Sequence, residues 1–130
     1  MNPSRIAAFP VLADLPEAEL DELAAAMREV NTEAGTTIVT VDDYGTAIYF
    51  VEHGEADVLI DEGKRSVTLG PGDTFGEIAL LLTGERTATV VARTPMQLLS
   101  LAGQDFEPIR ARVPELERTL RRLGLERVGR

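Results

Sequence analysis

The residue types and spacing most suited to chemistry occur in residues 75–90, which read FGEIALLLTGERTATV. Gly76 has no Cβ, so the backbone can approach a ligand closely there. The apolar residues that follow are predicted to begin a helical turn, and the free N–H groups of such a turn favour an anion. Glu77 offers a carboxylate acceptor suited to a sugar hydroxyl. Arg86, nine residues later, offers a planar charged fork suited to two-point contact with a phosphate.

This segment resembles the phosphate-binding cassette of the cyclic nucleotide-binding domain family. That family includes regulatory subunits of cyclic AMP-dependent kinase, the catabolite activator protein and cyclic nucleotide-gated channels. Its pattern runs roughly Phe-Gly-Glu-aliphatic-Ala-Leu and then Arg-(Ala/Ser/Thr)-Ala, and residues 75–80 and 86–88 fill every place. The spacing from Glu77 to Arg86 is similar to that of the kinase and channel members. A weaker resemblance extends over residues 9–123.

The resemblance implies a role for each position of the cassette. Glu77 would bind the ribose 2′-hydroxyl, Gly76 would donate its N–H to the ribose region, and Arg86 would bind the phosphate. The backbone of Ala79 and Thr87 would donate to the phosphate oxygens. The ligand-binding residues implied in this way are Gly76, Glu77, Ile78, Ala79, Arg86, Thr87 and Ala88.

Thr87 leaves the choice of base open. In the family, Thr or Ser at this place can bond the phosphate and also the amino group of a guanine, whereas Ala favours cyclic AMP. A β-branched residue is also an ordinary way to begin a strand. We expect cyclic AMP as the ligand because it is the commoner bacterial messenger, with cyclic GMP as the alternative. No separate cofactor is expected.

Composition excludes several other classes of protein. The chain has 130 residues, a net charge of −9, no Cys and one His. Thiolate metal sites and disulfides are therefore excluded, and His53 alone cannot form the multi-His sites of metal-dependent barrel enzymes. No Ser-His-acid or Cys-His arrangement is credible around it, so we do not expect an enzyme. A ligand-free interaction module that retains the cassette is a further alternative.

Charge and hydropathy bear on the partners of the domain. Residues 1–109 carry six basic and nineteen acidic side chains, whereas residues 110–130 carry seven Arg and three Glu. An acidic body argues against direct nucleic-acid binding. The basic C-terminal segment is interpreted as a solvated helix with internal Glu–Arg pairs, or as a docking element for an effector domain or partner protein. No run of residues is apolar and long enough for a membrane span or a signal peptide, and we expect a cytoplasmic location.

Hydrophobic periodicity predicts many short strands between flanking helices. A helix is predicted over residues 16–27, with Leu20, Leu23, Ala24 and Met27 toward the core. Further helical faces are predicted from Phe106, Ile109 and Val113, and from Leu116, Leu120 and Leu123, with the last helix ending at Gly124. The predicted strands are residues 36–41, 47–53, 56–60, 66–69, 87–93 and 96–101.

This order of elements predicts a mainly β fold: a double-sheet jelly-roll β-barrel with an N-terminal helix, a short cassette helix and C-terminal helices. We expect one domain over residues 1–130, with its barrel over about 30–102 and its C-terminal helices over about 103–124. The expected function is that of a regulatory sensor, in which cyclic nucleotide binding moves the C-terminal helices.

Overall fold

The part of the chain that the structure describes contains eight strands. The computed structural model describes residues 1–39, 47–60, 65–76 and 88–128, except for the side chains of 65 and 124–128. The strands are β1 (Arg28–Thr32), β2 (Thr37–Val39), β3 (Ala47–His53), β4 (Ala56–Ile60), β5 (Arg65–Leu69), β6 (Thr74–Phe75), β7 (Thr89–Ala92) and β8 (Met96–Ala102).

The strands form two four-stranded sheets in which neighbouring strands are antiparallel. Their strand orders are β1-β8-β3-β6 and β2-β7-β4-β5. Together with the flanking helices, these sheets form the double-sheet jelly roll that the sequence predicts. Two predicted strands are shorter than expected: β2 starts at Thr37, and Ala88 lies in a bend before β7.

The helices occupy both ends of the described chain. They are α1 (Pro3–Ala7), α2 (Glu17–Ala26), α3 (Gly103–Phe106), a 3-10 helix (Glu107–Arg112) and α4 (Pro114–Val128). The prediction that the last helix ends at Gly124 is wrong, because α4 continues to Val128. A Gly inside a helix costs only about 1 kcal/mol relative to Ala. The predicted pairs Glu115–Arg118 and Glu117–Arg121, at 2.8 and 3.8 Å, are confirmed and support the helix.

The fold has two apolar clusters, and β3 and β8 contribute to both. One cluster lies inside the barrel and includes Val51 of β3 and Leu98 of β8. The other lies where the helices cover the first sheet and includes Phe50 and Leu99 from the same two strands. Because adjacent strand residues point to opposite faces, β3 and β8 separate the barrel interior from the helices.

Candidate functional site

A tight turn leads into the site. The N–H of Asp73 donates to the carbonyl of Gly70 at 3.1 Å, which closes a four-residue turn. Pro71 occupies its second position, and Gly72 follows with a φ of 95°. This arrangement is that of a type II turn, which requires a positive φ at the third position. The carboxylate of Asp73 also accepts from the N–H of Gly70 at 2.8 Å, so the turn is braced by a side chain.

The turn is hydrogen-bonded to β3, and this fixes where β6 begins. The N–H of Gly72 donates to the backbone carbonyl of Val51 at 2.9 Å, and the N–H of Val51 donates to the backbone carbonyl of Asp73 at 2.8 Å. Strand β6 then pairs Phe75 opposite Tyr49 on β3. The next residue, Gly76, has a φ of 95°. Only Gly adopts such a conformation without strain, so the backbone accounts for the Gly of the cassette.

Of the predicted ligand-binding residues, only Gly76 and Ala88 lie within the described part of the chain. Gly76 directly follows β6 of the first sheet, and the half-buried Ala88 directly precedes β7 of the second. The cassette therefore connects one sheet to the other. Glu77, Ile78, Ala79, Arg86 and Thr87 lie outside the described residues.

Tyr49 and Phe75 form an aromatic pair at the end of β6, and Tyr49 was not among the predicted site residues. The rings of Tyr49 and Phe75 are stacked, with centroids 5.1 Å apart and an interplanar angle of 21°. Both rings belong to the cluster inside the barrel, Phe75 as a buried member and Tyr49 as a partly buried one. The alternation in β3, where Ile48 and Phe50 face the helices, is the signal that could have identified Tyr49 as an inward residue. The result is a stacked aromatic pair in the barrel interior, at the residue that precedes Gly76.

The opposite face of β3 holds the N-terminal helix by a network of charged hydrogen bonds. Arg5 donates from Nε and Nη2 to the two carboxylate oxygens of Glu52, each at 2.6 Å. Arg5 also pairs with Glu29, and Gln97 donates to Glu52. The hydrogen bond from Arg5 lowers the pKa of Glu52 and that of Glu29 below their usual value, and Glu52 and Glu29 in turn raise the pKa of Arg5. This network fixes α1 against the first sheet on the side away from the barrel interior.

A buried carboxylate connects the N-terminal and C-terminal helices. Glu19 on α2 is 5% exposed and accepts a hydrogen bond from the backbone N–H of Leu116 at 3.1 Å. Leu116 is the third residue of α4, and its N–H is one of the groups that a helix leaves without an internal partner. Val113, which precedes α4, has no polar side chain to accept it. Glu19 therefore caps α4 from a different helix.

A groove of about 580 Å³ lies between α2 and the 3-10 helix, and neither Gly76 nor Ala88 lines it. Its charged side chains pair with each other: Arg112 with Glu22 at 3.0 Å, and Arg28 with Asp105 at 3.5 Å. The groove belongs to the helix layer and not to the barrel interior, so we do not assign the nucleotide to it.

Comparison with known proteins gives the family. The sequence model described as the cyclic nucleotide-binding domain matches residues 29–112. The chain belongs to the cyclic nucleotide-binding domain family. The matched range contains the whole cassette and both sheets except for Arg28 of β1, so it covers the elements that position the site.

Individual relatives agree with this assignment. The chain is 36% identical, over 95% of its length and 34% of the relative's, to a cyclic nucleotide-gated potassium channel of Rhizobium etli. Its fold matches the cAMP complex of the Toxoplasma gondii PKA regulatory domain with a TM-score of 0.73 and 33% identity, covering 82% of this chain and 44% of that one. It matches the catabolite activator protein of Thermus thermophilus with a TM-score of 0.78 and 30% identity, covering 92% and 58%.

The chain spans only about a third of the length of the curated channels that it matches. The similarity therefore concerns one domain of those proteins. Within the described residues, no helix is both long and apolar enough to cross a membrane.

Proposed function

We propose that this domain is a regulatory module that binds a cyclic nucleotide, with cyclic AMP preferred over cyclic GMP, and that it is not an enzyme. The observation that carries the proposal is the family match over residues 29–112, which contains a cassette with every patterned position filled. The described backbone supports it, because the Gly of the cassette has the positive φ of 95° that only Gly adopts easily. The cAMP complex of a similar regulatory domain favours the adenine nucleotide.

In this proposal the ligand lies between the two sheets, beside the cassette. Arg86 holds the cyclic phosphate in two-point contact, and Glu77 accepts from the ribose 2′-hydroxyl. Gly76, Ala79 and Thr87 supply backbone N–H groups, while Ile78 and Ala88 complete the patterned positions. The stacked rings of Tyr49 and Phe75 would border the ligand on the side where β6 ends.

The test of the phosphate role is Arg86→Ala, measured by calorimetric titration with cyclic AMP, cyclic GMP and 5′-AMP. We expect micromolar or tighter binding of cyclic AMP by the wild type and much weaker binding of 5′-AMP. Arg86→Ala should weaken cyclic AMP binding by about 2–5 kcal/mol, the usual loss when one partner of a buried charge pair is removed. That corresponds to roughly thirty-fold to a few thousand-fold in the dissociation constant. Arg86→Lys should recover only part of this loss, because an ammonium cannot make the two-point contact.

Arg93→Ala is the matched control for loss of an Arg. Arg93 follows β7 and contacts Asp57 and Glu55 at 3.6 and 3.9 Å, with 56% of its side chain exposed. It lies at the other end of β7 from the cassette and pairs with surface carboxylates, so its removal should leave the affinity nearly unchanged. If Arg86→Ala bound as tightly as Arg93→Ala, the phosphate would have to be held elsewhere. If the wild type gave no heat with either cyclic nucleotide at millimolar concentration, the proposed function would be wrong.

Thr87→Ala tests the choice of base. If the Thr87 hydroxyl reaches the amino group of guanine, its removal should weaken cyclic GMP by about 1 kcal/mol, the net value of one neutral hydrogen bond. Cyclic AMP has no amino group at that ring position and should lose less. Both nucleotides are titrated into wild type and variant, and the ratio of the two affinities is the readout. Equal losses would mean that Thr87 contacts only the phosphate or the strand, and that another element selects the base.

We further propose that ligand binding is coupled to the C-terminal helices, and that an effector domain or partner protein reads their position. The support is that β3 and β8 contribute to both the barrel interior and the helix-facing cluster. A shift of these strands at the ligand would reach Phe106, Leu116 and Leu120, which are fully or almost fully buried in the helix-facing cluster. The test is hydrogen exchange of residues 103–123 with and without saturating cyclic AMP. Unchanged exchange throughout this range would argue against the coupling.

A further inference from the structure

Tyr49 occupies the one position of β3 that lies directly opposite the last residue of β6. The antiparallel register pairs Tyr49 with Phe75 and Phe50 with Thr74. The Tyr49 and Phe75 rings are stacked at 5.1 Å and 21°. Phe75 is 5% exposed, so its ring has little freedom to leave this arrangement.

Both ends of β6 are attached to β3 through the backbone, and its last residue also has a ring stack. Before its start, the N–H of Gly72 donates to the carbonyl of Val51, and the N–H of Val51 donates to the carbonyl of Asp73. At its end, Phe75 is the last paired residue, and Gly76 follows with its φ of 95°. Gly has the widest backbone freedom of any residue, so Gly76 itself does little to fix the direction of the chain beyond it. The ring stack on Phe75 therefore adds a side-chain contact to the strand pairing at the residue from which the cassette departs.

We propose that Tyr49 is a positioning residue for nucleotide binding: its ring fixes Phe75 and so the direction in which the chain enters the cassette at Gly76. The inference rests on the proposed function, since the quantity it affects is the placement of the cassette groups around a cyclic nucleotide. A misplacement of about 1 Å at a binding group is enough to lose much of its contribution. The adjacent residue on β3 does not share this role, because Phe50 faces the helices and packs on Phe9 at 5.5 Å and 58°.

This neighbouring ring pair provides a matched control. Tyr49→Leu removes the stack on the cassette side of β3 and keeps an apolar side chain there. Phe9→Leu removes the corresponding ring contact on the helix side, in the other apolar cluster. Tyr49→Phe keeps the stack and removes only the hydroxyl. The three variants and the wild type are titrated with cyclic AMP and cyclic GMP, and their thermal unfolding midpoints are measured in parallel.

We expect Tyr49→Leu to weaken binding of the preferred nucleotide by roughly three- to tenfold, in line with the energy of an aromatic pair beyond its burial. Tyr49→Phe should stay within about twofold of the wild type, because it keeps the ring pair. Phe9→Leu should lower the unfolding midpoint and yet leave the affinity within about twofold, because it alters the other face of the sheet. Affinity loss in Tyr49→Leu no greater than in Phe9→Leu would overturn the proposal. Equal losses in Tyr49→Leu and Tyr49→Phe would overturn it too, since the hydroxyl and not the stack would then be required.

Hydrogen exchange of the ligand-free variants separates this inference from the proposed function. Tyr49→Leu should exchange faster than wild type at the amide of Gly76 and the residues directly after it, whereas Phe9→Leu should not. If wild type bound neither nucleotide, the proposed function would fail, and the exchange comparison would still decide whether Tyr49 fixes the chain at Gly76. Identical exchange at Gly76 in all variants would count against the positioning role, whatever the titrations gave.

Discussion

Replacing Glu19 with Ala should lower the free energy of unfolding by more than the loss of an exposed acid from the first turn of a helix, because Glu19 is buried. Glu19 is one of two polar residues buried among those that the structure describes. Its carboxylate accepts from the N–H of Leu116 at 3.1 Å in a buried hydrogen bond. Removing it leaves a buried donor without a partner, and water has little access because Leu116 is fully buried.

The energy of this lost hydrogen bond can be estimated in two ways. Loss of a helix cap costs about 0.5–2 kcal/mol, and leaving a buried donor unsatisfied costs about 1–3 kcal/mol. They describe the same hydrogen bond and are not added, so we expect a loss of about 1–3 kcal/mol in the free energy of unfolding. For a domain of this size, each kcal/mol corresponds to roughly 3–5 °C in the midpoint of thermal unfolding.

Two further variants identify the cause of any loss. Glu19→Gln keeps an oxygen acceptor and removes the charge, so it should lose only the charge–dipole part, about 0.3–1 kcal/mol. Glu17→Ala removes an exposed acid from the same first turn of α2 and controls for the dipole of α2 itself. Urea and thermal denaturation of the wild type and the three variants give the free energies. If Glu19→Ala lost no more than Glu17→Ala, the capping of α4 by Glu19 would contribute nothing to stability, and the reasoning would be refuted.

Two other predictions concern the charged network and the glycine turns. Glu52→Gln should destabilise the protein by about 1–2 kcal/mol near neutral pH. The pKa of Glu52 is lowered below 4.5 by Arg5, so the stabilisation is present above that pH and is lost as the pH falls through the lowered pKa. The difference between wild type and variant should therefore shrink in urea titrations below about pH 4.5, and a constant difference would contradict it. Gly54→Ala should cost more stability than Gly35→Ala, although both have a positive φ. A Cβ at Gly54 would lie 2.4 Å from the Pro95 carbonyl, whereas nothing lies within 4 Å at Gly35; equal midpoints would contradict this.

Local sequence patterns predicted most of the described fold where apolar alternation was strong. Strands β3 and β4 have the predicted bounds, and α2 differs from the predicted helix by one residue at each end. Strand β1 was not predicted, because Val30 is its only aliphatic residue, and it lies at the edge of its sheet. An edge strand is held mainly by its one neighbour, here β8, and needs less apolar surface. Strand β6 was also missed, since two residues are too short to show a period.

Some features of the site depend on a single residue and its neighbours in sequence, and others depend on residues far apart in the chain. The Gly76 position follows from the sequence, because a backbone conformation that only Gly adopts easily is a local requirement. The contacts of Tyr49 with Phe75 and of Glu19 with Leu116 could not be found in this way, because the partners lie 26 and 97 residues along the chain. Each partnership exists only once the sheets and helices have assembled.

The Tyr49–Phe75 and Glu19–Leu116 contacts lie in different layers of the domain. On the inner face, the Tyr49 ring supports the residue from which the cassette departs. On the outer side, the helix layer is closed by Glu19, which attaches the start of α4 to α2. If ligand binding moves α4, its first turn is the part least free to follow, because breaking the Glu19 contact would expose a buried carboxylate and a buried N–H together. A response to ligand should therefore be a rotation of α4 about its start, with displacement growing toward Val128. A uniform displacement along α4 on ligand binding, measured by spin-label distances from α2, would instead require that the Glu19 contact breaks.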